Sequence, residues 1–507
     1  MKKSVLKATV LVFALSLVAK IIGFIKSIIQ AAYFGTTALT DAYNIANGFV
    51  SNVLYMLATA LAVAFVPMYI QKKQQQLEKQ FSTRIITLLC FGSVLLSGIL
   101  ILLTPLIVKV IAPGYIGDEQ RITIQYFRVL VIGFTFALTT HLYTSLLNAE
   151  RVYGFSAACS IINSVVLIVS IVLFSKTLGV WALVISMPIS YMIQWLALYL
   201  RGKKYARISL KYGLWDKDIQ LLSIQAFPIL ISQATVEINQ VVDRALLTSI
   251  GTGALTAVSY SMVLYQFVTT LVSTPLSTVM FTELSEAGAK KDDDEIKKIL
   301  HNSYRVLFLV CIPIIAVIFF IPENIVRIVY GYGKFSDEAI MQCAVGLKMY
   351  GLCLLPVCIK SVLNKAYYAV NNTKTPMIIG IFEVALNICL SILLVRKYGI
   401  IGVVGATAIA SFVFIIVMLI DYNRKYIAVI RKETILSYWK LVLSTAILIL
   451  IMVITKGIVF QNKIVLFLFK SVLAFSAYYL VLLILKEETL YLITTKAICL
   501  VRKKIKE

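Results

Sequence analysis

Ionisable side chains inside the first two apolar runs are the residues of this chain best suited to bind a ligand. Lys20 and Lys26 lie six residues apart, with Gly23 between them. On a helix the two lysines are separated by about 120°, so they flank a shared face where they could hold an anion, or their stems could reach the membrane surface. Gly23 leaves room for a substrate or a neighbouring helix. Asp41 opens the second run, where its carboxylate would cap that helix or contact the substrate.

Later apolar runs carry the oxygen atoms that a hard cation prefers. Asp243 lies beside Arg244, so simple ion pairing is one interpretation of this carboxylate. Glu383 and Asn387 are one helical turn apart, and Ser391 follows one turn later, so the three share a face. Because carboxylate, amide and hydroxyl oxygens are the ligands of hard cations, this face is a candidate cation site.

No catalytic signature accompanies these residues. The chain has two histidines, His141 and His301, and no phosphate-binding loop, so neither histidine-based catalysis nor ATP-driven pumping is expected. The eight cysteines mostly lie in apolar runs without CxxC spacing, which is typical of small buried side chains rather than of metal ligands or disulfides. We therefore expect a protein that is not an enzyme and that has no cofactor, apart from a coupling Na⁺ or H⁺.

Composition excludes the soluble classes. The chain has 507 residues, of which 60% are hydrophobic and 14% are charged, with a mean hydropathy of +0.91. Soluble domains have about 45–50% apolar and about 25% charged residues, and disordered chains and coiled coils have more polar residues still. The formal charge of +24 is interpreted as the excess of Lys and Arg in cytoplasmic loops of a membrane protein, and not as a nucleic-acid-binding surface.

The apolar runs predict an all-α polytopic membrane protein with about fourteen transmembrane helices. The first run lacks a small-x-small cleavage site and continues to Tyr33, which predicts a retained helix rather than a signal peptide. Lys and Arg concentrate in alternate loops, which places both termini in the cytoplasm. The runs cover residues 5–34, 41–71, 83–112, 122–149, 155–175, 179–200, 218–250, 255–286, 296–321, 337–370, 375–395, 399–421, 434–456 and 464–485.

An internal repeat divides the chain. At an offset of 216 residues, segment 34–40 matches 250–256 and segment 145–148 matches 361–364, with shared glycine and asparagine residues. Two parallel six-helix bundles follow, with the substrate between them and alternating access as the mechanism. The predicted parts are an N-lobe (1–200, helices 1–6), a basic cytoplasmic linker (201–217), a C-lobe (218–421, helices 7–12), two extra helices (422–485) and a basic cytoplasmic tail (486–507).

Several short motifs resemble one transporter family. Residues 20–26, 32–35, 40–43 and 64–67 resemble the opening of the MurJ (MviN) family of bacterial lipid II flippases. The resemblance continues through the predicted helices 7–8 and 11–12, and the two extra helices fit the fourteen-helix family. The motifs lie at residues 242–244, 253–255, 260, 374–376, 387 and 402–407. The broader group is the multidrug/oligosaccharidyl-lipid/polysaccharide (MOP) exporter superfamily, so the implied fold is MATE/MurJ-like.

The resemblance implies a function and two sets of site residues. The substrate would be a polyprenyl-pyrophosphate-linked glycan, lipid II, moved from the inner to the outer leaflet of the bacterial cytoplasmic membrane by a monomer with a cationic central cavity. The extra helices would form a groove for the lipid tail, in contact with membrane lipids. Substrate contacts would fall on Lys20, Gly23, Lys26 and Asp41, and a sodium site would fall on Asp243, Asn387, Val403 and Thr407, with Ser391 in place of a carboxylate.

Departures from the family pattern leave alternatives open. The family's basic pair in the second helix corresponds to Val53 and Leu54, and its arginine in the eighth helix corresponds to Val263. A flippase for another undecaprenyl-pyrophosphate-linked oligosaccharide, of O-antigen, teichuronic or capsule type, is therefore an alternative. A MATE-type multidrug or cation antiporter would carry an acidic or aromatic cavity, against which the two lysines of the first helix argue. A membrane scaffold would leave the repeat and the charges within the helices unexplained.

Overall fold

The computed structural model describes residues 2–290, 292–370, 372–426, 438–455, 458, 463–487 and 490. Within these ranges the chain is helical and contains no strand, because runs of apolar residues satisfy their backbone hydrogen bonds internally as helices. The helices are α1 Lys2–Phe34, α2 Ala38–Gln74, α3 Glu78–Ile111, α4 Asp118–Ala149, α5 Tyr153–Leu178, α6 Trp181–Gly202, α7 Lys217–Leu247, α8 Ala254–Lys290, α9 Asp293–Phe320, α10 Pro322–Tyr330, α11 Asp337–Ala369, α12 Lys374–Tyr398, α13 Ile400–Lys425, α14 Trp439–Ile454 and α15 Lys463–Ile484.

The helices identify a multi-pass membrane protein. Thirteen helices in the described ranges are long and apolar enough to cross a membrane, and α14 is a shorter apolar helix of 16 residues. Large apolar side chains project outward from them, as at Leu102, which is 81% exposed, and Val110, which is 70% exposed. The predicted all-α polytopic class is confirmed. The predicted run 434–456 corresponds to α14, and its residues 434–437 and 456 lie outside the described residues.

One helix was not predicted from the sequence. The short helix α10 has nine residues and begins with Pro322, whose fixed φ suits the first position of a helix. Its buried residues, Val326 and Tyr330, are four apart and lie on one face. Nine residues with one buried face form neither a membrane-length apolar run nor a recognisable break, so the sequence does not predict this helix.

Helix positions reproduce the internal repeat. Helices α2 and α8 both contain 37 residues, and Ala254–Lys290 follows Ala38–Gln74 at the same 216-residue offset that relates the matching sequence motifs. The offset also carries α1 close to α7 and α6 close to α13. The same element order recurs in both copies, as duplication of one helical bundle requires.

The first compact unit comprises Met1–Tyr260 and Tyr332–Ala339. Within it, α4 packs against α2, α3 and α6, α1 packs against α5, and α7 packs against α2 and α3. Aromatic residues fill its core, among them Phe65 and Phe81, whose rings stack with centroids 5.8 Å apart. Thus α7, which the repeat assigns to the second lobe, packs with helices of the first; the division into lobes stays a prediction.

The basic stretch between α6 and α7 is docked along α3. Arg84 of α3 donates two hydrogen bonds to the Tyr212 carbonyl, at 3.0 and 2.8 Å, and also pairs with Asp216. The Ser209 N–H donates to the Thr87 hydroxyl at 2.9 Å. These contacts hold the linker against the N-terminal part of α3 before α7 begins.

The second compact unit comprises Ser261–Gly331 and Ile340–Glu507. Its core is formed by α8, α9, α11 and α13, and α12 lies alongside α13. Helices α14 and α15 pack together and against α9, around Leu448 and Tyr478. The Arg305 guanidinium of α9 pairs at 2.6 Å with the Glu487 carboxylate, which follows α15, and both side chains are almost completely buried. Most of the predicted tail, 486–507, lies outside the described residues.

We expect Glu487→Gln to destabilise this unit. The substitution removes the charge that faces the buried Arg305 guanidinium, and breaking a buried pair in this way costs about 3–5 kcal/mol. The melting temperature of the purified protein in detergent should fall. Lys425→Gln is the control, because the Lys425 side chain is 56% exposed and surface pairs contribute about 0–1 kcal/mol. Equal melting temperatures for the two variants would contradict the expectation.

Candidate functional site

Lys20 and Lys26 of α1 differ in exposure. Lys20 is exposed, whereas Lys26 is half-buried, and within the described ranges neither is in an ion pair. Gly23 faces α5: a Cβ added there would lie 3.8 Å from the Ser164 hydroxyl oxygen. Of the two roles considered for Gly23, the structure places a neighbouring helix beside it, and a substrate contact stays a prediction. Two cationic side chains on one helix can hold a doubly charged phosphate group.

Asp41 caps a helix other than its own. The N-cap of α2 is Thr37, which forms a reciprocal capping box with Thr40. The buried Asp41 carboxylate instead accepts hydrogen bonds from the start of α8. The donors are the Gly253 N–H at 2.5 Å, the Thr256 N–H at 2.8 Å and the Thr256 hydroxyl at 2.5 Å. The carboxylate thus satisfies otherwise unpaired donors at the positive end of the α8 dipole.

We call the contact of Asp41 with Gly253 and Thr256 the α2–α8 latch. The amide of Asn44, one turn beyond Asp41, adds a hydrogen bond to the Thr256 hydroxyl at 2.9 Å. Gly253 has φ +86°, and a Cβ there would lie 3.0 Å from the Thr36 carbonyl oxygen, so this close approach needs glycine. Repeat-related turns therefore meet each other at the latch.

The latch is asymmetric, although the two turns are related by the repeat. At the 216-residue offset the position equivalent to Asp41 is Ala257, which has no carboxylate. A single carboxylate therefore supplies all the charge of the contact.

Tyr115 lies near the latch, in the loop between α3 and α4. Burial together with the carboxylates of Asp41 and Glu119 raises the pKa of Tyr115, which keeps this loop phenol neutral.

Polar residues of α7 contact each other and α2. The Asn239 amide donates to the Asp243 carboxylate at 3.4 Å, and the Arg244 guanidinium donates to the Asn52 side-chain oxygen of α2 at 3.4 Å. Gly48 makes this possible, because a Cβ at that position would overlap the guanidinium. A cation from α7 is therefore held against the middle of α2.

Four of the five residues considered for a sodium site lie together between α12 and α13. The Asn387 amide donates to the Thr407 hydroxyl at 3.1 Å, and the Ser391 hydroxyl donates to the Asn387 oxygen at 3.0 Å and to the Val403 carbonyl at 3.5 Å. Their oxygens are of the type that a hard cation binds, but all are neutral. Asp243, the charged member of the set, belongs to the first compact unit.

The polar row continues one turn along α12 to Glu383, where it meets a lysine that sequence reasoning missed. Lys360 of α11 pairs with Glu383 at 2.5 Å, and Ser411 of α13 donates to the other carboxylate oxygen at 3.3 Å. The signal for Lys360 was its charge inside the apolar run 337–370. Its partner is 23 residues away, so the pair is invisible to helical spacing.

The same helix order is found in solved transporter structures. A MurJ structure described as "Lipid II flippase MurJ, inward closed conformation" superposes with a TM-score of 0.82, at 22% identity over 93% of this chain and 98% of that one. An inward-facing MATE-family multidrug transporter gives a TM-score of 0.66, at 15% identity over 81% of this chain and 98% of that one. These likenesses define the fold class: an all-helical, multi-pass membrane protein with a MATE/MurJ-like fold.

The chain belongs to the MurJ family, since the family model described as "Lipid II flippase MurJ" matches residues 30–475. A relative named a probable lipid II flippase from Rickettsia prowazekii is 25% identical over 418 residues, covering 81% of this chain and 82% of the relative. The lipid II flippase MurJ of Burkholderia cenocepacia is 24% identical over 394 residues, covering 74% and 75%. The relatives are named as flippases, so the family consists of transporters rather than enzymes.

Proposed function

We propose that this protein moves lipid II from the inner to the outer leaflet of a bacterial cytoplasmic membrane, with both termini in the cytoplasm and as a monomer. The observation that carries the proposal is the family match over residues 30–475. A lipid-linked sugar pyrophosphate has a head group too polar to cross hydrocarbon and a tail too apolar to leave it. A protein that moves it needs charged groups within the membrane and an apolar surface for the tail.

Lys20 and Lys26 supply the charged groups for the pyrophosphate. Exposure leaves the Lys20 ammonium accessible, and half-burial strengthens the attraction of Lys26 for an anion by lowering the local dielectric. An ammonium binds phosphate as a point charge without the fixed fork of an arginine. The lysines therefore hold the pyrophosphate while allowing its orientation to change during passage.

The α2–α8 latch closes one end of the first unit. On the topology expected from the loop charges, the starts of α2 and α8 lie at the outer face of the membrane. Lipid II release to that side requires these turns to separate, so Asp41 must give up its three hydrogen bonds in each cycle. An inside-negative potential favours outward movement of negative charge by about 2.3 kcal/mol per charge per 100 mV.

The tail is proposed to follow α14 and α15. Their outward faces are apolar and exposed, as at Val442, Ile454, Val472 and Ile484. A polyprenyl chain gains from contact with such a surface while remaining in the hydrocarbon layer. In this proposal α1 binds the head group and the α14–α15 pair contacts the lipid tail.

We propose that a bound cation, Na⁺ or H⁺, drives the return of the empty protein. Asp243 is the charged residue of the candidate set that also includes Asn387, Val403 and Thr407. Asp243→Asn keeps a side-chain oxygen but removes the charge, so it should slow transport at least tenfold while leaving the melting temperature nearly unchanged. Flipping by the reconstituted variant at several sodium concentrations and pH values tests this. Wild-type rates under all conditions would contradict coupling at Asp243.

A flippase for another undecaprenyl-pyrophosphate-linked glycan is the second candidate, favoured by the apolar Val53, Leu54 and Val263. The contact of Arg244 with Asn52 supplies a cation to the same turn of α2 from another helix, which suits the pyrophosphate of either substrate. Complementation separates the two candidates. The chain is expressed in a bacterium depleted of its own lipid II flippase: rescued growth supports lipid II, and no rescue despite membrane expression favours the other glycan.

A further inference from the structure

A charged pair lies inside the membrane in the second compact unit. The Lys360 ammonium of α11 is 2.5 Å from the Glu383 carboxylate of α12. Lys360 lies nine residues before the end of α11, and Glu383 lies nine residues after the start of α12. At 1.5 Å per residue, each is about 13 Å from that end of its helix. Because α11 and α12 are both long and apolar enough to cross a membrane, these positions are expected to lie within the hydrocarbon layer, where ionisable groups are costly and mark functional positions.

The two members of the pair are not equally engaged. Both oxygens of Glu383 are occupied, one by Lys360 and the other by the Ser411 hydroxyl, and its side chain is 12% exposed. Lys360 is 32% exposed, and its ammonium lies 4.3 Å from the centre of the Phe414 ring. An ammonium has three N–H donors, and in the described part of the chain one acceptor, Glu383, is hydrogen-bonded to it. Lys360, the more exposed member of the pair, is therefore a cation with N–H donors that remain available to a ligand.

We propose that Lys360 binds an anionic phosphate oxygen of the transported lipid, and that Glu383 positions the ammonium and limits its affinity so that the lipid can leave. The inference rests on the proposed function and names a further binding residue, on α11, for the same substrate class. The spare N–H donors of Lys360 point to a phosphate oxygen, the strongest acceptor on a lipid-linked sugar pyrophosphate. The Phe414 ring and the Glu383 carboxylate stabilise the cation while no lipid is bound.

If the pair had only a structural role, its removal would not change the affinity for pyrophosphate. A double variant distinguishes this role from lipid binding. Lys360→Met with Glu383→Gln removes both charges and leaves no uncompensated group in the membrane. The full-length protein is purified in detergent and titrated with a polyprenyl pyrophosphate and with the matching polyprenol, which lacks phosphate. The melting temperature is measured in parallel, and Lys365→Met is the control because Lys365 is a second lysine on α11.

We expect the double variant to melt like the wild type, to bind the pyrophosphate at least tenfold more weakly and to bind the polyprenol unchanged. Unchanged pyrophosphate affinity in a folded double variant would overturn the proposal. The single variant Glu383→Gln gives an independent test that does not require the double variant to fold. It frees the ammonium, so pyrophosphate affinity should rise and the flipping rate should fall; equal or weaker affinity would also overturn the proposal.

Failure of this inference and failure of the proposed function are distinguishable. The binding titration uses a polyprenyl pyrophosphate without sugars, so it reports on Lys360 whether or not the protein transports lipid II. If the protein binds this lipid through Lys360 but does not flip lipid II, the role of Lys360 stands and the assignment of lipid II as the substrate does not. If the protein flips lipid II but the double variant binds the pyrophosphate with unchanged affinity, the proposed function stands and the role of Lys360 does not.

Discussion

Asp41→Asn should weaken the closed arrangement of the α2–α8 latch and, because the cycle needs the closed form as well as the open one, should reduce transport by at least tenfold. The Asp41 carboxylate accepts from Gly253 and Thr256 at 2.5–2.8 Å, and hydrogen bonds to a charged acceptor contribute about 1.5–3 kcal/mol each. Asparagine replaces one acceptor oxygen with an amide donor that faces the N–H groups of α8. Loss of about 3 kcal/mol would shift the latch equilibrium toward the open form by about two orders of magnitude.

Flipping by the reconstituted variant measures the effect, and the modification rate of a cysteine introduced at Thr36, beside Gly253, reports opening of the latch. Asn44→Ala is the matched control, because it removes one neutral hydrogen bond to Thr256 and leaves the carboxylate in place. We expect a change of less than about fivefold for this control, which corresponds to about 1 kcal/mol. Wild-type transport and cysteine reactivity in Asp41→Asn would show that the latch has no role in the cycle.

Loss of both Lys20 and Lys26 is the second change with a large expected effect. Lys20→Ala combined with Lys26→Ala should abolish lipid II transport, since the pyrophosphate then meets no cation in the apolar part of α1, Ala14–Phe34. At 4 Å a charge pair near a protein surface is worth about 4 kcal/mol, and a tenfold loss needs only about 1.4 kcal/mol. The single variants should each lose at least tenfold, with Lys26 the larger because it is half-buried.

Two controls accompany the lysine variants in the same flipping assay. Arginine at both positions keeps the charge and should retain transport within about tenfold of the wild type. Lys176→Ala removes an exposed lysine in the last turn of α5 and should have no effect. Transport by the double alanine variant at the rate of the Lys176 control would exclude a cationic head-group site on α1.

The membrane class and the membrane-length helices could be predicted from the sequence, because they depend on local properties. A run of apolar residues forms a helix across a membrane whatever its neighbours are, and the repeat was visible because segments 34–40 and 250–256 match at a 216-residue offset, which α2 and α8 reproduce. The sequence allows either a substrate or a neighbouring helix beside Gly23, and the structure places Ser164 of α5 there. Such features need no knowledge of long-range contacts.

The partners of the site residues could not be predicted, because they are far away in the chain. Asp41 was expected to cap α2 or to contact substrate, whereas its partners Gly253 and Thr256 are more than 200 residues away. Lys360 and Glu383 were two separate charges in two apolar runs until the packing of α11 and α12 joined them. Helical periodicity gives the face of a residue on its own helix, but not the residue that it meets.

The central claim is that the chain moves lipid II, and transport by the purified protein tests it most directly. The full chain is reconstituted in liposomes with fluorescent lipid II, and in parallel with an undecaprenyl pyrophosphate that carries an unrelated oligosaccharide. We predict that lipid II becomes accessible in the opposite leaflet at least tenfold faster than in protein-free liposomes, and that the double lysine variant eliminates this acceleration. Movement of the unrelated glycan with no movement of lipid II would contradict the substrate assignment, and movement of neither lipid would contradict the flippase itself.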